Sequence, residues 1–192
     1  MAPRMQMHRY VRNGIVALGL IGQLGCGDSQ EDAPETPYGS VEEVREYRLL
    51  IDPIVAEVNE VEMEVQRTAV GSSGQATAAN LAAAYEVLKP RLQAVLEALN
   101  QVEPPALLAP LHRDIRKLIT LRLEAFNTLL EGREAENEEL YEVAEAKLVE
   151  ANALIPELNQ ELEKIDMVLA EAEEENPVAS GKRGVGHALR FR

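Results

Sequence analysis

Beyond residue 40 apolar side chains return every third or fourth position, and they do so in four separate runs. The first run is Val41, Val44, Tyr47, Ile51, Ile54, Val58, Val61 and Val65, a spacing that places all of them on one face of a helix. Ser40 and Glu43 stand three apart just ahead of this run. That is the spacing of a capping box, in which a hydroxyl and a carboxylate satisfy the free amides of a first helical turn, so a helix is predicted to start here. Gly71, in VGSSGQ, ends it.

The second run, Leu81, Tyr85, Leu88, Leu92, Val95, Leu99 and Val102, alternates steps of four and three without a break. Its period of about 3.5 residues is that of knobs-into-holes packing. Pro104-Pro105 stops it, and Pro105 is predicted to open a third helix at its first position, where a missing N–H is harmless. That helix ends near Gly132. The fourth run reads Ala144, Leu148, Ala151, Ile155, Leu158, Leu162, Ile165, Leu169 and Ala172 until Asn176-Pro177.

Short connections between long amphipathic helices make sequential helices antiparallel. The expected fold is therefore all-α, an antiparallel up-down-up-down four-helix bundle over residues 40–176. Pro53, Pro90, Pro110 and Pro156 fall in or near the helices and are expected to kink them or shift their starts; Asp52-Pro53 is a candidate second helix start after a short leading segment. At roughly 39 residues against 27 for its predecessor, the fourth helix is expected to overhang. The seam around Ile165 and Leu169 would then be exposed, inviting a partner helix or self-association, or else be covered by the first helix or its leading segment.

Composition agrees with helices: the chain has no Trp, 4% aromatic residues and 46% apolar content. Charge adds polarity along the chain. Residues 1–25 carry Arg4, Arg9 and Arg12 with no acid, and residues 177–192 carry Lys182, Arg183, Arg190 and Arg192 with no acid. Between them all 33 acids face the other 12 Lys and Arg, a net charge of −21. Such a body repels phosphate, so no nucleic acid is expected as a partner. The basic tail, read as disordered, emerges at the same pole as the start of the first helix, where it would meet anionic headgroups or else lie on the bundle's own acids.

The N-terminus explains the single cysteine. Residues 1–13 are basic and polar, and GIVALGLIGQL, residues 14–24, is apolar but far shorter than the roughly 20 residues needed to span a bilayer. It suits an export signal. Cys26 follows between Gly25 and Gly27, ahead of the acidic stretch GDSQEDAPETPYGS. Here the chain resembles a bacterial lipoprotein precursor, with Gln23-Leu24-Gly25-Cys26 as the four-residue box; the family usually has Leu where Gln23 stands. The resemblance implies a signal peptide over 1–25, a diacylated Cys26 as mature N-terminus, a flexible tether over 26–39, and a place in the bacterial cell envelope, on the outer membrane in a Gram-negative cell. Two or three acyl chains, at about 0.8 kcal/mol per buried methylene, would hold a soluble domain to a membrane.

Candidate chemistry is sparse. There is no C-x-x-C-H, no H-E-x-x-H, no repeated E-x-x-H and no phosphate-cradling glycine loop, so no metal and no cofactor is expected. A haem held by His112 with Met63 or Met167 can be drawn but has no spacing signal. His112 lies at the edge of the third helix's apolar face, as a structural side chain or a proton shuttle. Arg122 falls about 20° from Leu111 at 100° per residue, amid Ile115, Leu118, Phe126 and Leu129. A charge there needs a partner, either an acid on a neighbouring helix or a bound anion. No nucleophile, acid or base can be singled out for catalysis.

Residues 104–160, PPALLAPLHRDIRKLITLRLEAFNTLLEG and AEAKLVEANALIPEL among them, are similar to the helical halves of uncharacterised bacterial lipoproteins, a resemblance that implies no activity. The sequence thus leads to a lipid-anchored, non-enzymatic envelope protein, a helical interaction or structural module with a protein partner. The alternative is a bundle that binds a small anion through Arg122.

Overall fold

The computed structural model describes residues 35–70, 77–175 and 189–191. Four helices pack into a bundle: α1 (Val41–Val70), α2 (Ala78–Asn100), α3 (Ala109–Ala135) and α4 (Glu138–Glu175). A hairpin of two-residue strands, β1 (Glu35–Thr36) and β2 (Gly39–Ser40), precedes α1, with Glu35 opposite Ser40 and Thr36 opposite Gly39. Gly39 takes φ +115°, a conformation that side chains rarely tolerate.

α1 starts where the capping box placed it. Ser40 N–H donates to Glu43 Oε2 at 3.0 Å and Glu43 N–H donates to Ser40 Oγ at 3.3 Å. All eight residues of the first seam are buried, as are the five central residues of the second, Tyr85 to Leu99. Each large aliphatic among them contributes about 1.5–3 kcal/mol. Thr77 caps α2 by accepting from Asn80 N–H at 3.2 Å. Asn80 Nδ2 then donates to the carbonyl of Ala69, tying the start of α2 to the end of α1.

Sequential helices run antiparallel and pack most closely. Across α2 and α3 the rings of Tyr85 and Phe126 stack with centroids 3.5 Å apart. α3 turns into α4 through Glu136, in the left-handed region at φ 49°, while Asn137 N–H donates to Gly132 O at 2.9 Å. α1 and α4 close the ring with the lightest contact of the four sides. The start of α1 and the end of α4 share one pole, where Arg45 stands 3.6 Å from Glu173. No helix among the described residues is long and apolar enough to cross a membrane.

Several local expectations change. Pro53, Pro90 and Pro156 lie inside continuous helices; each is on an exposed position, where water can satisfy the carbonyl four residues back that the ring deprives of its donor. Asp52-Pro53 starts no second helix. Pro105 precedes a 3₁₀ turn, Ala106–Leu108, and α3 begins only at Ala109 with Pro110 in its first turn. α4 is 38 residues long against 27 for α3, but its apolar seam stays covered as far as Leu169. Ile165 is fully buried and Leu169 half-buried against the core, because the start of α1 lies alongside.

The reading of 26–39 as a flexible tether gives way for its last five residues, which form the hairpin and dock Tyr38 on the core. The Tyr38 hydroxyl donates to Glu161 of α4 at 3.3 Å. The reading of 177–192 as disordered likewise gives way at 189–191, where Phe191 is buried in the core.

Candidate functional site

Where α1 and α4 meet, a non-helical segment of the chain lies between them, and its main chain is read by side chains. Asn59 of α1 and Asn159 of α4 face this segment. Asn59 Nδ2 donates to the carbonyl of Arg190 at 2.5 Å. Asn159 engages both polar groups of one residue: its Oδ1 accepts from Phe191 N–H at 2.8 Å and its Nδ2 donates to Phe191 O at 2.9 Å. A carboxamide is the side chain suited to this, since it carries a donor and an acceptor on one planar group.

Side-chain contacts add selectivity. Arg190 Nη1 donates to Asp166 Oδ2 at 2.6 Å, and Phe191 is only 4% exposed. Asp166 is shared, since its other oxygen stands 3.1 Å from Nη2 of Arg48, which also lies 3.0 Å from Asp52. Arg48 is itself 5% exposed, so a buried cation positions the carboxylate that receives Arg190. Asp52 is held above the usual carboxylate range, chiefly by burial, against the lowering pull of Arg48.

One turn beyond Asn59 the interior becomes ionic. Arg122 on α3 is 2% exposed, and its Nη1 forms an ion pair with Glu62 Oε1 of α1. Nη2 donates to Asn152 Oδ1 of α4 at 3.3 Å. Burial lowers the Arg122 pKa to about 10, which leaves it charged at neutral pH. The acid that the sequence called for is thus Glu62, though it stands on α1, across the bundle, and not on a helix beside α3 in the ring.

His112 lies on the same helix in its first turn, 3% exposed. Its Nε2 lies 3.2 Å from Arg116 Nη2, a donor, and its ring is 6.1 Å from that of Tyr47. Burial and the neighbouring guanidinium hold its pKa below the usual value. Arg122 and His112 are not brought together in one site. Met167 is 52% exposed on α4. Among the described residues no three His, Cys, Asp or Glu side chains converge as metal ligands. Cys26, the residue expected to carry the lipid, lies outside the described residues, as does the signal segment.

A hollow of about 440 Å³ opens between the start of α3 and α4, lined by Tyr38, Leu108, Leu111, Asp114, Glu157 and Ile165 among others. It contains neither Arg122 nor His112.

Sequence reasoning missed Asn59, Asn159, Arg48 and Asp166. The signal was present for the two asparagines. Each follows an apolar seam residue, Val58 or Leu158, and lies four residues after another apolar residue, Val55 or Ile155. A carboxamide at such an edge needs a polar partner from outside its own helix. No protein-family model matches the chain, and no curated protein or solved structure matches it either.

Proposed function

We propose that this protein is a lipid-anchored, non-enzymatic module of the bacterial cell envelope that binds protein segments through its helical bundle. The seating of Leu189–Phe191 between α1 and α4 supports this reading most directly, because there the bundle takes up a non-helical segment by its main chain, one basic group and one aromatic ring. Main-chain contacts give affinity and side-chain pockets give selectivity, the division of labour seen wherever proteins read peptides. The shared pole of the start of α1 and the end of α4 would put the tether and the membrane on one side. The acidic body would then stand off an anionic surface.

The anion-site alternative has less support, since the Arg122 guanidinium already faces Glu62 and Asn152. The anchor is tested by the mass of the chain recovered from the membrane fraction. A chain that begins at Cys26 and carries acyl groups is expected; one that retains residues 1–25, or begins at an unmodified Cys26, would overturn the anchor.

A further inference from the structure

The segment in the α1–α4 groove has the contacts of a ligand rather than of a helix or strand. Its hydrogen bonds run to side chains of Asn59 and Asn159, its charge to Asp166, and its one aromatic ring into the core. Fourteen residue steps separate Leu189 from the end of α4 at Glu175. That stretch of chain can span about 46 Å, whereas Asn159 lies only about 24 Å back along α4 from Glu175. The connection is therefore long enough, by about a factor of two, for the segment to reach its seat.

Charge says what else would fit. Asp166 and Asp52 stand at the Arg190 end of the groove, on a body of net charge −21. A second copy of the same body approaches against repulsion, while a basic segment of another protein is drawn in.

We propose that the α1–α4 groove is a docking site for a partner protein's segment of apolar–Arg–aromatic sequence, and that Leu189-Arg190-Phe191 occupies it as a tethered competitor. This rests on the reading of the bundle as an interaction module but not on the lipid anchor. Three residues with one buried ring and a handful of polar contacts bind with a Kd on the order of 10–100 µM. A tether of this length supplies an effective concentration of about 1 mM. The groove is then mostly closed in the free protein, and a partner displaces the tail only by making contacts beyond these three positions or by being held nearby.

The test uses the full chain carrying Cys26→Ser, which removes the acylation site and so separates this question from the anchor. A fluorescent peptide, HALRFR, is titrated against this chain and against the same chain with Arg190→Ala and Phe191→Ala. Emptying the groove is expected to tighten binding about tenfold or more. Adding Asn159→Ala to the emptied chain is expected to weaken it again by about tenfold. Equal binding to both chains, no binding to the emptied one, or indifference to Asn159 would overturn the proposal. So would an emptied chain whose circular dichroism shows it unfolded at 25 °C, since the segment would then be core rather than ligand. Light scattering of the tail-intact chain should give a monomer; a dimer that dissociates on Arg190→Ala and Phe191→Ala would mean exchange between copies, and would overturn it too.

Discussion

Arg122 of α3 and Glu62 of α1 meet across the diagonal of the bundle, joining two helices that are not neighbours in the ring. The guanidinium is 2% exposed and the carboxylate side chain 18%. Removing one partner leaves a charge without its counterion in the interior. Glu62→Ala should therefore cost about 3 kcal/mol, near the low end for broken buried pairs because the carboxylate keeps some solvent. Arg122→Met combined with Glu62→Leu should recover most of that loss. Urea denaturation of the single and double variants measures both, and a double variant no better than the single would contradict the assignment.

His112 should give the bundle a dependence on mild acid. Its pKa is lowered in the folded chain, by burial first and then by Arg116, so the unfolded chain takes up the proton at a higher pH than the native one. Stability is then fully present above the ordinary value of 6.5 and is lost as the pH falls below it. The stability difference between the wild-type chain and His112→Gln should shrink between pH 7.5 and pH 5. A difference that stays constant over that range would show that the imidazole titrates as it does in water.

Asp52 has the opposite sign. Its pKa is raised from 3.8, with burial the leading cause, so the native chain holds this proton more tightly than the unfolded chain and the ionised form is a liability at neutral pH. Asp52→Asn keeps the shape of the protonated acid, and Arg48 keeps Asp166. The melting temperature at pH 7 should be unchanged or higher, and the advantage should vanish below pH 3.8. A clear drop at pH 7 would mean that the Arg48–Asp52 contact outweighs the burial of the carboxylate.

Gly132 is placed for space. A Cβ there would lie 2.9 Å from the Tyr141 ring and 3.0 Å from Leu140 Cβ. Helix propensity alone would make Gly132→Ala stabilising by about 1 kcal/mol. Overpacking at the α3–α4 turn should reverse that, with a net loss of about 1–2 kcal/mol. Placing Gly132→Ala in a Tyr141→Ala background should restore part of the loss in thermal melts.

What could be read from the chain follows from where the information resides. The seams of α1 and α2 are periodic in apolar residues and were legible residue by residue, down to the Ser40–Glu43 cap. Gly132 was read as the end of a helix, since glycine marks helix ends; its actual role depends on a ring nine residues later folding back. Arg122 stood out because its charge breaks an apolar face. Arg48 did not, because it lies beside Tyr47 at the edge of the α1 seam, where a long basic chain usually reaches solvent. The groove was hidden for a different reason: the Arg190 charge was legible as part of a basic tail, whereas the main chain of Arg190 and Phe191 is held by two asparagines 100 positions apart. That pairing exists only after the ring has closed.

The lightness of the α1–α4 side bears on how the molecule assembles. Three of its four faces are made by helices adjacent in the chain, so they form from contacts of short sequence separation and should zip quickly. The last face must join the two ends of that strip and pays the long loop closure. Arg48 and Arg190 converge on Asp166 at this seam. It should accordingly be the final region to gain protection during refolding and the first to open under native conditions, so that the latch of the barrel-like ring and the proposed port for a partner are one and the same edge.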